Sequence, residues 1–251
     1  LNKTDAVSFY RERDEPRAAD IVQCWWEQQI SPGASGRAYV QRVLPDGCAD
    51  VIVSAGGEAL VVGPTMGVAL PELPVTTHFR GLRLRSQAVA LVLDCPGSEL
   101  RDQSVPLDAV VAGPVARQLA DAVWHGILPS RLRQCVVDGR VRHAVTRLRQ
   151  SDPIDVATVA DEVGLSGRHL RRLLIDQTSI GPSSQLRIGR LQRFLRLADA
   201  QWPDVTLAGL AAAAGYADQA HLTRDVAQLA GTTPRLLLRE RSNRASLADA
   251  P

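Results

Sequence analysis

At 251 residues, with 45% apolar and 22% charged side chains, the chain has a globular composition and length enough for one large domain or two ordinary ones. That balance excludes a disordered polymer, and no apolar run approaches the ~20 residues needed to span a bilayer. The net charge of +2 hides an asymmetry. Residues 1–130 carry 11 basic against 15 acidic side chains, whereas residues 131–251 carry 18 against 12, and all 18 are arginine. A basic half suits a polyanionic partner.

The opening LNKTDAVSFYRERDE has no apolar core for a secretory signal, so the expected location is the cytosol. Short strands broken by turns are expected through the first ~100 residues. Pro45-Asp46-Gly47 turns the chain into Val51-Ile52-Val53, and Gly56-Gly57 turns it into Leu60-Val61-Val62, which Gly63-Pro64 stops. From Thr76 to Arg85, Leu82 and Leu84 alternate with Arg83 and Arg85, the period of a half-buried strand. Ala88–Leu93 fits a helix or a buried strand equally well. After Pro106 the texture is helical, with helices expected over Pro114–Trp124 and Ser130–Gln150. These readings give a first domain over 1–128, a second over 131–241 and a disordered tail over 242–251. Ser151-Asp152-Pro153 is the expected break before the most informative stretch.

Residues 156–174, VATVADEVGLSGRHLRRLL, read as a helix to about Val163, a left-handed stop at Gly164, and a second helix capped by Ser166 and running to about Thr178. About 51 residues later the pattern recurs, with Ala211 matching Ala160, Gly215 matching Gly164, and His221-Leu222-Thr223-Arg224 matching His169-Leu170-Arg171-Arg172. Asp218 caps the later second helix. Tandem helix pairs of this kind are helix-turn-helix units. At about 100° per residue, Leu170, Leu173 and Leu174 form a buried stripe. Arg168 and Arg172 point away from it, flanked by Arg171 and Ile175. In the second unit Leu222, Val226 and Leu229 are buried, and Ala220 and Arg224 point outward beside Thr223 and Ala227. Arginine can grip guanine edges in a bidentate manner, and Ala, Thr and Ile can meet the thymine methyl. His169 and His221 fall beside the core stripe, where packing or a phosphate contact is expected before base reading. Between the units, Pro182–Asp199 reads as one helix capped by Ser183 or Ser184 and ended by Trp202-Pro203. Gly189 within it marks close packing against a neighbouring helix.

Over residues 140–240 the sequence resembles the AraC family of bacterial transcription regulators. The resemblance rests on A-x-x-x-G-L-S-x-R-H-L-x-R at 160–172, Gly181-Pro182 and R-x-x-R-L at 187–191. It continues with G-Y-x-D-x-x-H-L-x-R at 215–224 and G-T-T-P at 231–234. It implies an α+β chain in which a mixed, β-rich regulatory domain precedes an all-α, seven-helix domain with two helix-turn-helix units joined by a long helix. It also implies that Arg168, Arg171 and Arg172 read or clamp one major-groove segment of double-stranded DNA, and that Gln219, Ala220, Thr223 and Arg224 do so in the next. A small-molecule effector and RNA polymerase are the further partners it suggests, with no membrane, no cofactor and no set oligomeric state. The sequence departs from the family at Phe194, where alanine is usual, at Val226, where phenylalanine often packs, and at Leu237-Leu238, where tyrosine and arginine are usual. Leu44–Asp50, Val62–Pro64, Gly81–Arg85 and Leu100–Asp108 resemble a regulatory domain that sometimes precedes this DNA-binding domain.

Other readings of the first half stay open at this point. Trp25-Trp26 fits a buried core or a pocket wall, and Arg80, Arg83 and Arg85 fit exposed strand positions or an anion site. The four cysteines, Cys24, Cys48, Cys95 and Cys135, lie far apart without a Cys-x-x-Cys pair, as reduced structural thiols do. Two alternatives compete with a ligand-responsive regulator. One is a thiol- or metal-responsive regulator using Cys24, Cys48 and Cys95, and the other an enzyme within residues 1–125. Against the enzyme, no G-x-S-x-G, P-loop, H-E-x-x-H or dinucleotide glycine motif occurs, and Asp46 and Asp50 beside Cys48 disfavour its thiolate.

Overall fold

In the computed structural model, which describes residues 6–33, 38–150 and 154–248, the first half supplies eight strands. They are β1 Val7–Arg13, β2 Val22–Ser31, β3 Tyr39–Val40, β4 Ala49–Ser54, β5 Ala59–Val62, β6 Glu72–Leu73, β7 Thr77–Leu84 and β8 Ser104–Pro106. Six form one antiparallel sheet in the order β1-β2-β7-β4-β5-β8, and β3 pairs with β6 apart from it. The three strands read from alternation and turn residues are β4, β5 and β7. The sequence reading did not single out β1 and β2, although β2 is the longest strand. Its burial runs through Cys24, Trp25 and Trp26 on both faces, which erases the period of two.

Register sets what each face carries. Trp25 and Val51 both oppose Leu82, and Val61 opposes Val51, so these side chains share one face, and all are buried. Helix α3, Gly113–His125, covers that face with Ala116, Leu119 and Val123. On the opposite face Trp26 lies across Gly81, where a Cβ would come within 2.1 Å of its ring. Its indole N–H donates to Asp50 at 2.6 Å, and Arg83 pairs with the same carboxylate at 3.1 Å.

Between β7 and α3, Val89–Leu93 forms the short helix α1, ended by left-handed Asp94, and Gly97–Leu100 forms α2. The ambiguity over 88–93 thus resolves as helix. The continuous helix expected over Ser130–Gln150 is two helices, α4 Ser130–Gln134 and α5 Gly139–Arg149. Asp138 breaks it by accepting from the Arg140 N–H at 2.8 Å, a side-chain cap that starts α5 afresh. Leu128, Leu132 and Val137 belong to the core under the sheet.

Six further helices follow: α6 Val156–Glu162, α7 Gly167–Thr178, α8 Pro182–Gln201, α9 Leu207–Ala213, α10 Gln219–Ala230 and α11 Pro234–Ala248. With α5 they make the seven expected. The expected break at 151–153 lies outside the described residues. Residues 242–248, expected in a disordered tail, continue α11, because Arg239–Ala248 contains no glycine or proline and is rich in good helix formers. Two cores hold the helices. One gathers Val141, Leu148, Val159, Leu170 and Leu174; the other gathers Leu191, Phe194, Leu210, Leu222, Val226 and Leu229. Phe194 and Val226 sit fully buried in the same cluster, with Leu237 and Leu238 beside them.

Helix α8 carries Gln185, Gly189 and Arg193 on one face at helical spacing, all buried. Gln185 accepts from Arg149 Nε at 2.8 Å and donates at 3.1 Å to both Ser86 and Thr178. At Gly189 a Cβ would stand 2.9 Å from Arg149 Cα, so α5 and α8 cross there at backbone distance, the close packing expected of this glycine. Arg193 donates to the Ala214 carbonyl at 2.6 Å and to the Arg149 carbonyl at 2.9 Å.

Glu15 accepts from Trp25 Nε1 at 3.1 Å and from Arg17 at 2.8 Å, and the paired guanidinium holds its carboxyl down near about 2. A depressed carboxyl contributes stability that is present above the unfolded value, ~4.3, and is lost as pH falls through the folded one. Acid titration of the full chain is therefore expected to destabilise it between about pH 5 and pH 2, and Glu15→Gln to shrink that loss. An acid limb unchanged by Glu15→Gln would contradict the assignment.

Candidate nucleic-acid interface

The two helix pairs are built to one plan. Helix α6 and helix α9 each have seven residues, and α7 and α10 each have twelve. Asp155 caps α6 by accepting from Thr158 N–H at 2.7 Å, and Thr206 caps α9 by accepting from Gly209 N–H at 3.1 Å. Gly164 and Gly215 end the first helices at φ +67° and +84°, a region glycine enters without steric cost. Ser166 then accepts from His169 N–H at 3.3 Å and Asp218 from His221 N–H at 2.6 Å, starting α7 and α10 as expected. Helix α8 instead starts on Gly181 with Pro182 at its first position and no side-chain cap, so neither Ser183 nor Ser184 has the expected role; proline at that position needs no N–H partner.

The wheel assignments fit the burial. Leu170 and Leu174 are buried and Leu173 half-buried in α7; Leu222, Val226 and Leu229 are buried in α10. Outward stand Arg168, Arg171 and Arg172, with Ile175 half-buried at the flank. On α10, Gln219, Ala220 and Arg224 are exposed and Thr223 is half-buried. Thr223 donates its hydroxyl to the Gln219 carbonyl at 2.8 Å, which leaves its methyl as the free end. Among the described residues, the side chains of Arg168, Arg171, Arg172 and Arg224 make no hydrogen bond or ion pair. Some other arginines of the domain are tied down, Arg147 by Glu162 at 3.0 Å, Arg187 by Asp225 at 2.9 Å and Arg241 by Asp199 at 2.6 Å. The three guanidinium groups without such ties on α7 and the one on α10 are of the kind that suits a phosphate backbone or a guanine edge.

His221 is half-buried, edge-on to Tyr216 with ring centroids 5.2 Å apart, and takes the Ala217 N–H on Nδ1, so it stiffens the turn. His169 is exposed at the start of α7. The sequence reading gave no role to the arginines of α8 within R-x-x-R-L. Arg187 ties α8 to α10 through Asp225 and Gln228, and Arg190 lies 5.5 Å over the Tyr216 ring, so both fix the second unit onto the connecting helix. Their three-residue spacing along one helix was the available signal.

The N-terminal domain touches both units. Ser179, at the end of α7, donates to the Gly97 carbonyl at 2.5 Å, and Gln185 reaches Ser86. Arg42 pairs with Glu240 of α11 at 2.9 Å and donates to the Ala230 carbonyl, the last residue of α10, at 2.6 Å. Gln192 donates to the Pro45 carbonyl at 2.7 Å.

The open readings of the first half separate. Trp25 and Trp26 are both buried, and both also border a groove at the edge of the sheet that Arg80 lines. Arg83 goes instead to Asp50, and Arg85 donates to the Ala19 carbonyl at 2.5 Å. Burial pushes the Cys24 thiol up to about 12 and raises Cys48 well above its usual range, with Asp46 adding to the rise at Cys48. Burial also raises Cys95 and Cys135. Raised in this way, the thiols are disfavoured as thiolates, the nucleophilic form. Among the described residues no group of three or more metal-ligating side chains gathers, and no helix is long and apolar enough to cross a membrane.

Residues 159–240 match the family model described as a helix-turn-helix domain, and residues 15–106 match a domain of unknown function, DUF6597. No curated protein matches the chain. Among solved structures, a DNA-binding transcriptional dual regulator from Escherichia coli K-12 is similar at 17% identity and a TM-score of 0.37, over 44% of this chain and 98% of its own. ToxT from Vibrio cholerae O395 is similar at 9% identity and a TM-score of 0.43, over 94% of this chain and 98% of its own. The same protein bound to (E)-4-(8-methylnaphthalen-1-yl)but-3-enoic acid gives 8% identity and a TM-score of 0.45, with the same coverage. Likeness at this level assigns no ligand and no partner to this chain.

Ser166→Ala and Asp218→Ala remove one cap each and no outward arginine. Each is expected to cost about 0.5–2 kcal/mol in urea unfolding of the full chain. A cost near zero for both would contradict the capped starts of α7 and α10.

Proposed function

We infer that this chain, a DNA-binding transcription regulator with an AraC-type helix-turn-helix domain and an N-terminal regulatory domain, inserts α7 and α10 into successive major-groove segments of one duplex. The observation that carries this reading is the pair of equal helix-turn-helix units with exposed arginine on the second helix of each, three on α7 and one on α10. Arg168, Arg171 and Arg172, with Ile175 at their flank, serve the first segment; Gln219, Ala220, Thr223 and Arg224 serve the second. Three arginines against one give the first unit the greater share of base reading, and Ala220 and the Thr223 methyl suit thymine in the second. The twenty residues of α8 span roughly 30 Å at ~1.5 Å per residue, close to the ~34 Å of one duplex turn.

In this reading the chain regulates and does not catalyse. The raised thiols support that, as does the absence of any catalytic glycine or serine motif from the sequence. Control passes through the seats on Ser179, Gln185, Arg42 and Gln192, where the N-terminal domain grips both units. An effector acts there only by differing affinity for the DNA-competent and DNA-incompetent arrangements.

Selecting duplexes from a random library with the full chain is expected to return a preferred site. Arg172→Ala is expected to weaken that site by about 1–3 kcal/mol and to relax one base position. An equal loss on every sequence, with a shallower salt dependence, would make Arg172 a phosphate contact and sink its role in base reading.

A further inference from the structure

Strand register gathers a cationic groove at the free edge of the large sheet. Arg13 of β1 faces Trp25 of β2, and Arg11, Glu27 and Arg80 line up across β1, β2 and β7. Opposed residues point to the same face, so all five project on the side covered by α3. There the end of α3 and the sheet edge enclose a groove of about 640 Å³ that Val123 and His125 also border. The volume suits a small organic molecule.

Its polar groups are arranged for an anion. Arg13 lies 5.6 Å over the Trp25 ring and donates to the Gly126 carbonyl at 3.2 Å. Arg80 lies 5.2 Å over the Trp124 ring and donates to the Trp124 carbonyl. A guanidinium stacked on a ring keeps edge N–H groups for a further partner. Arg80 Nε is buried and has no hydrogen-bond acceptor among the described residues. Glu27 on this face is taken by Arg11 at 2.5 Å and stands 3.7 Å from Arg80, and Glu15, which accepts from Trp25 Nε1, is paired with Arg17 at 2.8 Å. Glu12 also borders the groove, but it accepts from Tyr10 at 2.7 Å and faces Arg83 at 3.6 Å on the opposite side of the sheet. Three guanidinium groups therefore line the groove with two carboxylates, each of which already faces an arginine, beside the edges that buried Trp25 and Val123 present to it.

We propose that this groove binds an organic anion, a carboxylate or sulfonate on an aromatic or apolar body, with Arg13 and Arg80 on the charge and Trp25 and Val123 on the body. The proposal names a ligand class and a site for the regulatory domain, and it rests on that reading of residues 15–106. It uses neither the seats on the DNA-binding units nor the face of the sheet that carries Asp50 and Arg83.

The test uses 8-anilinonaphthalene-1-sulfonate as the anionic probe and N-phenyl-1-naphthylamine as its neutral counterpart, on the folded full chain. Saturable binding of one sulfonate per chain is expected, with energy transfer from tryptophan and at least tenfold preference over the neutral probe. Arg80→Gln, and separately the exposed-site variant Arg13→Gln, are each expected to weaken the sulfonate at least tenfold while leaving duplex binding within twofold. Equal affinity for the two probes, no saturable site, or variants that bind like the wild type would overturn the proposal. Duplex binding is read on the same proteins. A wild type that holds the sulfonate with the expected arginine dependence but fails on every duplex supports the groove and contradicts the DNA-binding reading instead.

Discussion

The fully buried amide of Gln185 is the point on which both halves of the molecule turn. Its oxygen is held by Arg149 at the end of α5, and its nitrogen is shared between Thr178, closing α7, and Ser86 of the N-terminal domain. One turn further along α8, Gly189 lets α5 approach to backbone distance, and one turn beyond that Arg193 ties the ends of α5 and α9. A buried polar seam adds only about 0.5–1.5 kcal/mol per bond, but leaving any partner unpaired costs about 1–3 kcal/mol. Such a seam therefore selects one crossing of α5, α8 and α9 from the many that an apolar contact would tolerate. The relative placement of α7 and α10 follows from that crossing.

The same arrangement explains how a regulatory domain can matter to both units at once. Its contacts fall on the ends of the reading helices, Ser179 after α7 and the Ala230 carbonyl of α10, and away from their outward arginines. Gripping the ends leaves Arg168, Arg171, Arg172 and Arg224 free while restricting how far the two helices can move against each other. Arginine thus has two physical uses in one domain. Arg187, Arg190 and Arg193 are spent on internal partners, and the outward set has none among the described residues.

The C-terminal domain was largely legible in the sequence because its determinants are local. Ser166 and Asp218 cap helices three residues on, glycines 164 and 215 take left-handed turns, and the leucine stripes repeat at helical spacing. The break within Ser130–Gln150 was hidden because helical spacing persists across it, and only the Asp138 cap and the burial of Val137 against the sheet divide it. Strand β2 was hidden for the opposite reason: long-range pairing buries both of its faces, so Trp25 and Trp26 carry no alternation. The sequence offered Arg80, Arg83 and Arg85 as one set. Their odd spacing puts Arg80 and Arg83 on opposite faces of β7, and long-range register, which no local pattern encodes, supplies Asp50 to Arg83 and the groove to Arg80.

The central claim is that one chain reads two groove segments with two equivalent helices. Methylation-interference footprinting of the full chain on its selected duplex measures this directly. The account requires two protected major-groove segments on one face of the duplex, their centres about one turn, ~34 Å, apart. A footprint confined to one segment, with the second reachable only by a second chain, would contradict it.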